Sequence, residues 1–333
     1  ELLFHHCWFL CRALFVHEKH RQRARKRVIE QIEAKFLGML HHDDTRTAQV
    51  QDHHDEKVVI THSCRTIFYC LIQSLLDAKD TKHIKICSAS MHFGSFYRLL
   101  RSIELAQKCT IEHYEIDLCA HDFTLNALNT SDIDETSLSE CDLILCQHFF
   151  GVPFEQNLLF QLGRKYDIPI LEDCVQTGSL YGEYRGHQLA DVMIWSCGLD
   201  KTPSCFGGGL GYFCNTKHGQ ALYEKVRNMT DGFQVDSLRD RAVSLLNQAI
   251  HLIFTRNHAC AATLVAIIGH LVYYRNEAYT KYYELALKVR TNKSITPFQH
   301  QSSLFLTQPS IAQLDSILYG LRKNYEAVSG NEL

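Results

Sequence analysis

From Val58 onward, short apolar runs rich in β-branched residues alternate with stretches whose apolar residues recur at helical spacing. VVIT (58–61), IKICSA (84–89), IEHYEI (111–116), DLILCQHF (142–149), IPILED (168–173), VMIWS (192–196) and GLGYFCN (209–215) read as strands. Helices are predicted near Thr66 to Leu76, from about Ser95 to Ala106 and from Gln156 to Tyr166. Residues 28–40 predict an amphipathic helix, and the polar stretch 41–56 a loop. Strands apolar on both faces, joined by crossover helices, predict an α/β fold of three layers, α/β/α, around a mostly parallel sheet. Such sheets bind ligands at the carboxyl ends of their strands. Asp173, Ser196 and His148 fall at those ends.

Outside this alternation the pattern changes twice. Residues 2–16 are strongly apolar and precede a basic run, Lys19 to Arg27, which is the reverse of the order in a secretory signal. That order fits an interfacial helix anchored by the basic run, or a helix packed on the protein body. Residues 217–290 read as helical, with an apolar stretch from Ala259 to Tyr274 that is short for a membrane span. It predicts a buried or subunit-interface hairpin, or, with residues 242–254, a membrane-surface one.

Composition narrows the class. In 333 residues, 46% are hydrophobic and 21% charged, as in an ordinary globular enzyme. A formal net charge of −3 gives no electrostatic case for a nucleic-acid partner. The fourteen cysteines are scattered through apolar runs without paired two-residue spacing, which predicts buried, reduced thiols in a cytoplasmic protein. Paired histidines such as His41-His42 lie in polar surroundings with no third ligand, so no metal site is expected.

The chemistry concentrates between Cys141 and Asn215. Asp173 ends an apolar run and Gln176 follows three residues later. Ser196 closes a second run, then come Lys201 and the triple glycine Gly207 to Gly209. An acid at a strand end, a downstream lysine and a hydroxyl between them are the groups that pyridoxal phosphate (PLP) requires. Asp173 would keep the pyridine nitrogen protonated, and Gln176 would bond the ring's phenolate oxygen. Lys201 would condense with the aldehyde and later shuttle protons. Ser196 and the helix start at Cys64 to Thr66 would donate to the phosphate, the latter through backbone N–H groups and the helix dipole. The triple glycine permits positive φ and close approach of backbone to the cofactor or a neighbouring subunit. His148 would help position cofactor or substrate, or serve as a structural strand-end histidine.

These segments resemble the DegT/StrS family of PLP-dependent sugar aminotransferases, within the aspartate-aminotransferase fold (fold type I). HFFGVP resembles the family's H-x-x-G-x-P, and EDCVQTGSLYGEYRG its E-D-x-A-Q-x-x-G-A segment. WSCGLDKTPSCFGGG resembles its S-F-x-x-x-K segment. By the same resemblance SASMHFGSFYRLLRSIE places Phe93 on the PLP ring, and SCRTIFYCLIQSLL aligns Cys64, Arg65 and Thr66 with the phosphate-binding turn. Cys64-Arg65 stands there in place of the family's Gly-Thr, and Arg65 could add a charge-assisted contact.

The resemblance covers about residues 28–330. It implies a PLP-binding large domain over 28–240 after an N-terminal segment 1–27. It further implies a helical insertion over 241–290 and an incomplete small C-terminal domain over 291–333. The chain starts at Glu1 rather than Met, which leaves open whether it is a fragment. The function implied is transamination of a nucleotide-linked keto-sugar with glutamate as amino donor, in a homodimer. Lysine rather than histidine at position 201 favours transamination over dehydration. The alternatives are another PLP reaction, a lyase or an acyl condensation with a lipid-linked substrate, or a non-catalytic, membrane-associated relative.

Overall fold

The computed structural model describes residues 18–40, 57–92, 94–121, 124–128, 133–149, 152–177, 184–198, 207–235 and 307–309, together with 201, 205, 313–314, 317–319 and 321. Helix α1 (Glu18–Leu40) starts ten residues before the predicted amphipathic stretch. Apolar periodicity marks only the half that packs, where Ile32, Phe36 and Met39 are buried. The basic half is helical because Arg, Lys and Gln are good helix formers. One helix therefore runs across residue 27, which sequence alone made a boundary.

Strand β1 (Lys57–Thr61), helix α2 (Cys64–Asp77), strand β2 (His83–Ala89), helix α3 (Gly94–Gln107) and strand β3 (Thr110–Ile116) follow the predicted order. A short hairpin, β4 (Leu118–His121) and β5 (Thr124–Leu128), and helix α4 (Glu135–Ser139) were not foreseen. Helix α4 is one polar turn with no apolar period, capped by Asp134, whose carboxylate accepts from the N–H groups of Thr136 (3.0 Å) and Ser137 (3.3 Å). Then come β6 (Leu143–Gln147), α5 (Asn157–Lys165), β7 (Ile170–Asp173), β8 (Val192–Ser196), β9 (Gly209–Phe213) and α6 (Lys217–Asp231). Two short strands, β10 (Gln234–Val235) and β11 (Thr307–Gln308), pair in parallel.

The central sheet has seven strands in the order β1-β9-β8-β7-β6-β2-β3. Six strands run one way and β9 lies antiparallel between β1 and β8. The link from β8 to β9, CGLDKTPSCFGG, holds a proline and three glycines and supports no crossover helix, so the chain returns antiparallel. On one face α1 and α5 cover Ile144, Cys146, Ile170, Met193 and Trp195, with Phe36 edge-on to Trp195 at 5.3 Å. On the other face α2 lies over β9, where a side chain at Gly211 would meet Ile67 at 3.0 Å. Helix α3 packs beside α2 through Phe68 and Phe96, and Lys225 of α6 donates to the Ser74 carbonyl of α2 at 3.2 Å. The fold is thus three-layered α/β/α with a mostly parallel sheet.

Leu314, Ile317, Leu318 and Leu321 are buried in the same core as Trp195 and Cys197, and Phe305–Leu333 groups with the chain up to Asp236 as one compact unit. These C-terminal residues, expected to begin a small domain, belong to the body that carries the sheet. The expected insertion at 241–290 lies outside the described residues, as does the apolar stretch 259–274. Among the described residues no helix is long and apolar enough to cross a membrane.

Candidate functional site

Strand β7 ends in two acids that alternation sends to opposite faces of the sheet. Asp173 faces the α2 layer. Its register partner on β6 is Gln147, whose side-chain amide hydrogen-bonds to the Asp173 carboxyl. The Asp173 carboxylate also accepts the Val175 N–H at 2.9 Å. Burial pushes the Asp173 carboxyl above its ordinary range, against the opposing pull of that N–H, of His148, of Lys201 and of Gln147. Lys201 therefore lies close enough for its charge to act on Asp173. The structure brings together the two residues on which the sequence reading rests.

Ser196 ends β8 on the same face, its register partner being Gly209. Its hydroxyl oxygen accepts the Gly198 N–H at 3.2 Å, at the start of the link that carries Lys201. The beginning of α2 sits directly over this edge. A Cβ at Gly209 would stand 2.3 Å from the backbone nitrogen of Cys64, so only glycine lets the helix start approach. Gly207 and Gly208 supply the expected positive φ, 127° and 118°. The close approach that the triple glycine makes is thus to this chain's own α2. Gln176 is half-buried in a single 3₁₀ turn, Cys174–Gln176, directly after Asp173.

Within the α2 start the residues divide. The Cys64 thiol is buried and donates to the Trp195 carbonyl at 2.6 Å; burial and the nearby Asp173 carboxylate push it far up. Thr66 turns its N–H to the Ser63 carbonyl (2.9 Å) and its hydroxyl to the Ser63 hydroxyl (3.3 Å). These two side chains close the helix start on the protein itself. What remains is the backbone of the first turn and Arg65, an exposed guanidinium close enough to Arg98 to feel its charge.

Of the two roles open to His148, the hydrogen bonds favour the structural one. Its Nδ1 accepts the Phe154 N–H at 2.9 Å, which puts the proton on Nε2, and Nε2 donates to Glu172 at 2.8 Å. Both nitrogens are engaged inside the chain, on the α1/α5 face, so His148 offers neither to a ligand. Glu172, fully buried, also accepts from the Tyr184 hydroxyl, from the His187 N–H at 2.7 Å and from the Cys174 thiol. Sequence reasoning passed over Glu172 although strand alternation beside Asp173 marks it as an inward-facing acid. Gln147 was missed because its pairing with Asp173 follows only from the β6–β7 register. Phe93 lies outside the described residues. Next to it, His92 stacks on Phe96 with ring centroids 3.9 Å apart.

Several buried polar atoms on the α2 face have no hydrogen-bond partner among the described residues: Gln147 Oε1, Ser88 Oγ and both nitrogens of His92. Buried polar groups are rarely left so, and here they gather around Asp173's face of the sheet. A carboxyl beside a lysine, a hydroxyl and a helix start with a nearby guanidinium fits a small ring with a basic nitrogen, an amine-reactive carbonyl and an anionic group.

No family model matches the chain, and no curated protein matches it. Among solved structures it is similar to an aminotransferase from Psychrobacter cryohalolentis, at 16% identity over 66% of this chain and 52% of that one, with a TM-score of 0.38. It is similar to the E. coli GDP-4-keto-6-deoxy-D-mannose-3-dehydratase with bound hydrated PLP, at 16% identity, 64% and 52% coverage and a TM-score of 0.42. A cysteine desulfurase from Thermococcus onnurineus matches at 14% identity over 93% of this chain and 59% of that one, with a TM-score of 0.46. The chain spans 52% to 59% of the length of these three structures.

Proposed function

We propose that this chain binds pyridoxal phosphate at the α2 face of the strand ends and transfers an amino group from glutamate to a nucleotide-linked keto-sugar, as a homodimer. The observation that carries the reading is Asp173 at the end of β7, with the Gln147 amide on its carboxyl, Ser196 ending β8 on the same face and Lys201 close enough for its charge to act. A buried carboxyl gains most from a cationic hydrogen-bond donor, and a protonated pyridine nitrogen is one. When bound, the cofactor supplies an electron sink for the carbanion formed at an amino-bearing carbon.

This chain's own residues then have separable tasks. Asp173 keeps the ring nitrogen protonated, and Gln147 fixes the orientation of that carboxyl. Lys201 would hold the cofactor's carbonyl carbon covalently, and its Nζ would serve as the base for the proton on the donor's α-carbon. The Ser196 hydroxyl, the first-turn N–H groups of α2 and Arg65 hold the phosphate. Gln176, on the turn after Asp173, steadies the ring from the side of its phenolate oxygen.

The test begins with purified protein supplied with the cofactor. Borohydride should abolish a long-wavelength absorbance band and leave a reduced adduct on the peptide containing Lys201. Glutamate with a keto-sugar nucleotide should then yield 2-oxoglutarate, whereas acyl thioesters should not react. Lys201→Ala should lose the band, the adduct and the activity. A variant that kept them, or an adduct mapped to another lysine, would sink the assignment.

A further inference from the structure

Helix α1 carries a charge pattern that the strand-end site does not use. Residues 19–27 hold six Lys and Arg and no Asp or Glu, on a chain whose formal net charge is −3. The second half of the helix is fixed to the body of the protein. Ile32, Phe36 and Met39 are buried there, and Val28 and Ile29 pack against the same core. One turn earlier Arg25 turns inward, its Nε donating to the Pro309 carbonyl at 3.3 Å. Arg23, Lys26 and Arg27 are exposed. Their spacing of three and four residues sets them on one stripe of the helix. Like charges at that spacing weaken a helix by a few tenths of a kcal/mol, so local stability does not account for the stripe.

We propose that this stripe of α1 is a docking surface for a membrane, through the anionic headgroups of its phospholipids. An anionic leaflet attracts each Lys or Arg held near it, and the attraction fades within a Debye length. Three cations on a helix already packed to the core meet the surface together, without an ordering cost at docking. Glu30, one turn further on, is the exposed acid that bounds the stripe.

The neighbouring sequence selects a bilayer over a nucleic acid. Residues 2–16, directly ahead of the basic run, include Phe4, Trp8, Phe9 and Phe15, with Arg12 as their one charged residue. Phosphates of a duplex use the cations alone, whereas a bilayer interface also takes Trp, Phe and Leu side chains. Lasting attachment takes two signals, and a basic patch beside an apolar segment supplies two. Docking through α1 is independent of any chemistry at Asp173 and Lys201.

The full chain should be floated with vesicles of phosphatidylcholine alone and of phosphatidylcholine mixed with phosphatidylserine. It should rise with the mixed vesicles at low salt, and raising the salt should release it. Arg23→Gln with Lys26→Gln and Arg27→Gln should weaken that binding on the order of 10²-fold. Because Gln is a good helix former, the urea midpoint should not move. Arg23→Lys with Arg27→Lys should bind as the parent does, since headgroups read charge. Lys82→Gln with Arg101→Gln and Lys108→Gln removes the same charge at exposed positions around α3 and should also bind as the parent does. No binding to the mixed vesicles at low salt, binding that the α1 substitutions leave intact, or an equal loss in the α3 control would overturn the proposal. So would a DNA or RNA duplex that the chain binds in place of vesicles and that the α1 substitutions release.

Discussion

Glu172 and Asp173 are chain neighbours with the same functional group, and the sheet treats them in opposite ways. Glu172, on the α1/α5 face, is enclosed by donors from four places: His148, Tyr184, the His187 N–H and the Cys174 thiol. Asp173, on the α2 face, has one backbone N–H and the Gln147 amide, with unpartnered polar atoms nearby. A buried carboxylate surrounded by neutral donors is complete and ties its surroundings together. One that burial drives toward its protonated form, even with the charge of Lys201 acting on it, is the one that the proposed function assigns to a cationic ligand. The contrast separates structure from function at adjacent positions.

The sharpest way to break it is to remove each acid in turn. Glu172→Ala leaves several buried donors unsatisfied at once and should destabilise the protein by roughly 3–5 kcal/mol in urea unfolding. Asp173→Asn should change the stability of the cofactor-free protein by no more than about 1 kcal/mol. The same change should weaken pyridoxal phosphate about 10–100-fold, the worth of a charge-assisted hydrogen bond, in a titration of the absorbance band. Equal stability losses for both variants would erase the distinction.

The pH dependence of stability sharpens it further. The folded state raises the Asp173 carboxyl from its ordinary 3.8, so between the unfolded and folded values the native state binds more protons than the unfolded one. Its contribution is therefore complete below the unfolded value and is lost as pH rises through the folded value. His92 acts in the opposite sense: burial, with His113 beside it, lowers its ring to about 3 from 6.5, so its contribution is present above 6.5 and lost as pH falls toward 3. Subtracting the urea midpoints of Asp173→Asn from those of the parent isolates the first slope. A difference that grows with pH would contradict the burial of the carboxyl.

How much of this was legible beforehand follows the kind of signal each residue left. The strands of the central sheet were readable because each is a short run rich in apolar and β-branched residues, whereas the β4–β5 hairpin was not. Asp173, Ser196 and Lys201 were singled out because pyridoxal phosphate would need an acid, a hydroxyl and a lysine near strand ends, and Asp173 and Ser196 do end β7 and β8. The antiparallel insertion of β9 between β1 and β8 left no periodic trace, and strand pairing decides it. Gln147 became visible only through its register with Asp173. His148 was left with two readings because a strand-end histidine looks alike in sequence whether it faces a ligand or the chain itself; only its hydrogen-bond partners tell.

The smallest effect tests the Glu172 side alone. Tyr184 reaches that carboxylate from the segment after β7 and packs edge-on against His148 with ring centroids 4.9 Å apart. Burial, and then the carboxylate it serves, push its phenol far above the ordinary range, so it stays a donor at every working pH. Tyr184→Phe keeps the ring contact and removes one donor of several. Because the remaining donors still enclose the carboxylate, the loss should be about 1 kcal/mol, well below that of Glu172→Ala. Combined with His148→Phe, the effect should exceed the sum of the two single losses, since the second removal leaves the buried charge short of donors. Strict additivity in that double-mutant cycle would mean that the donors act one by one, and the description of Glu172 as the centre of a cooperative network would have to be withdrawn.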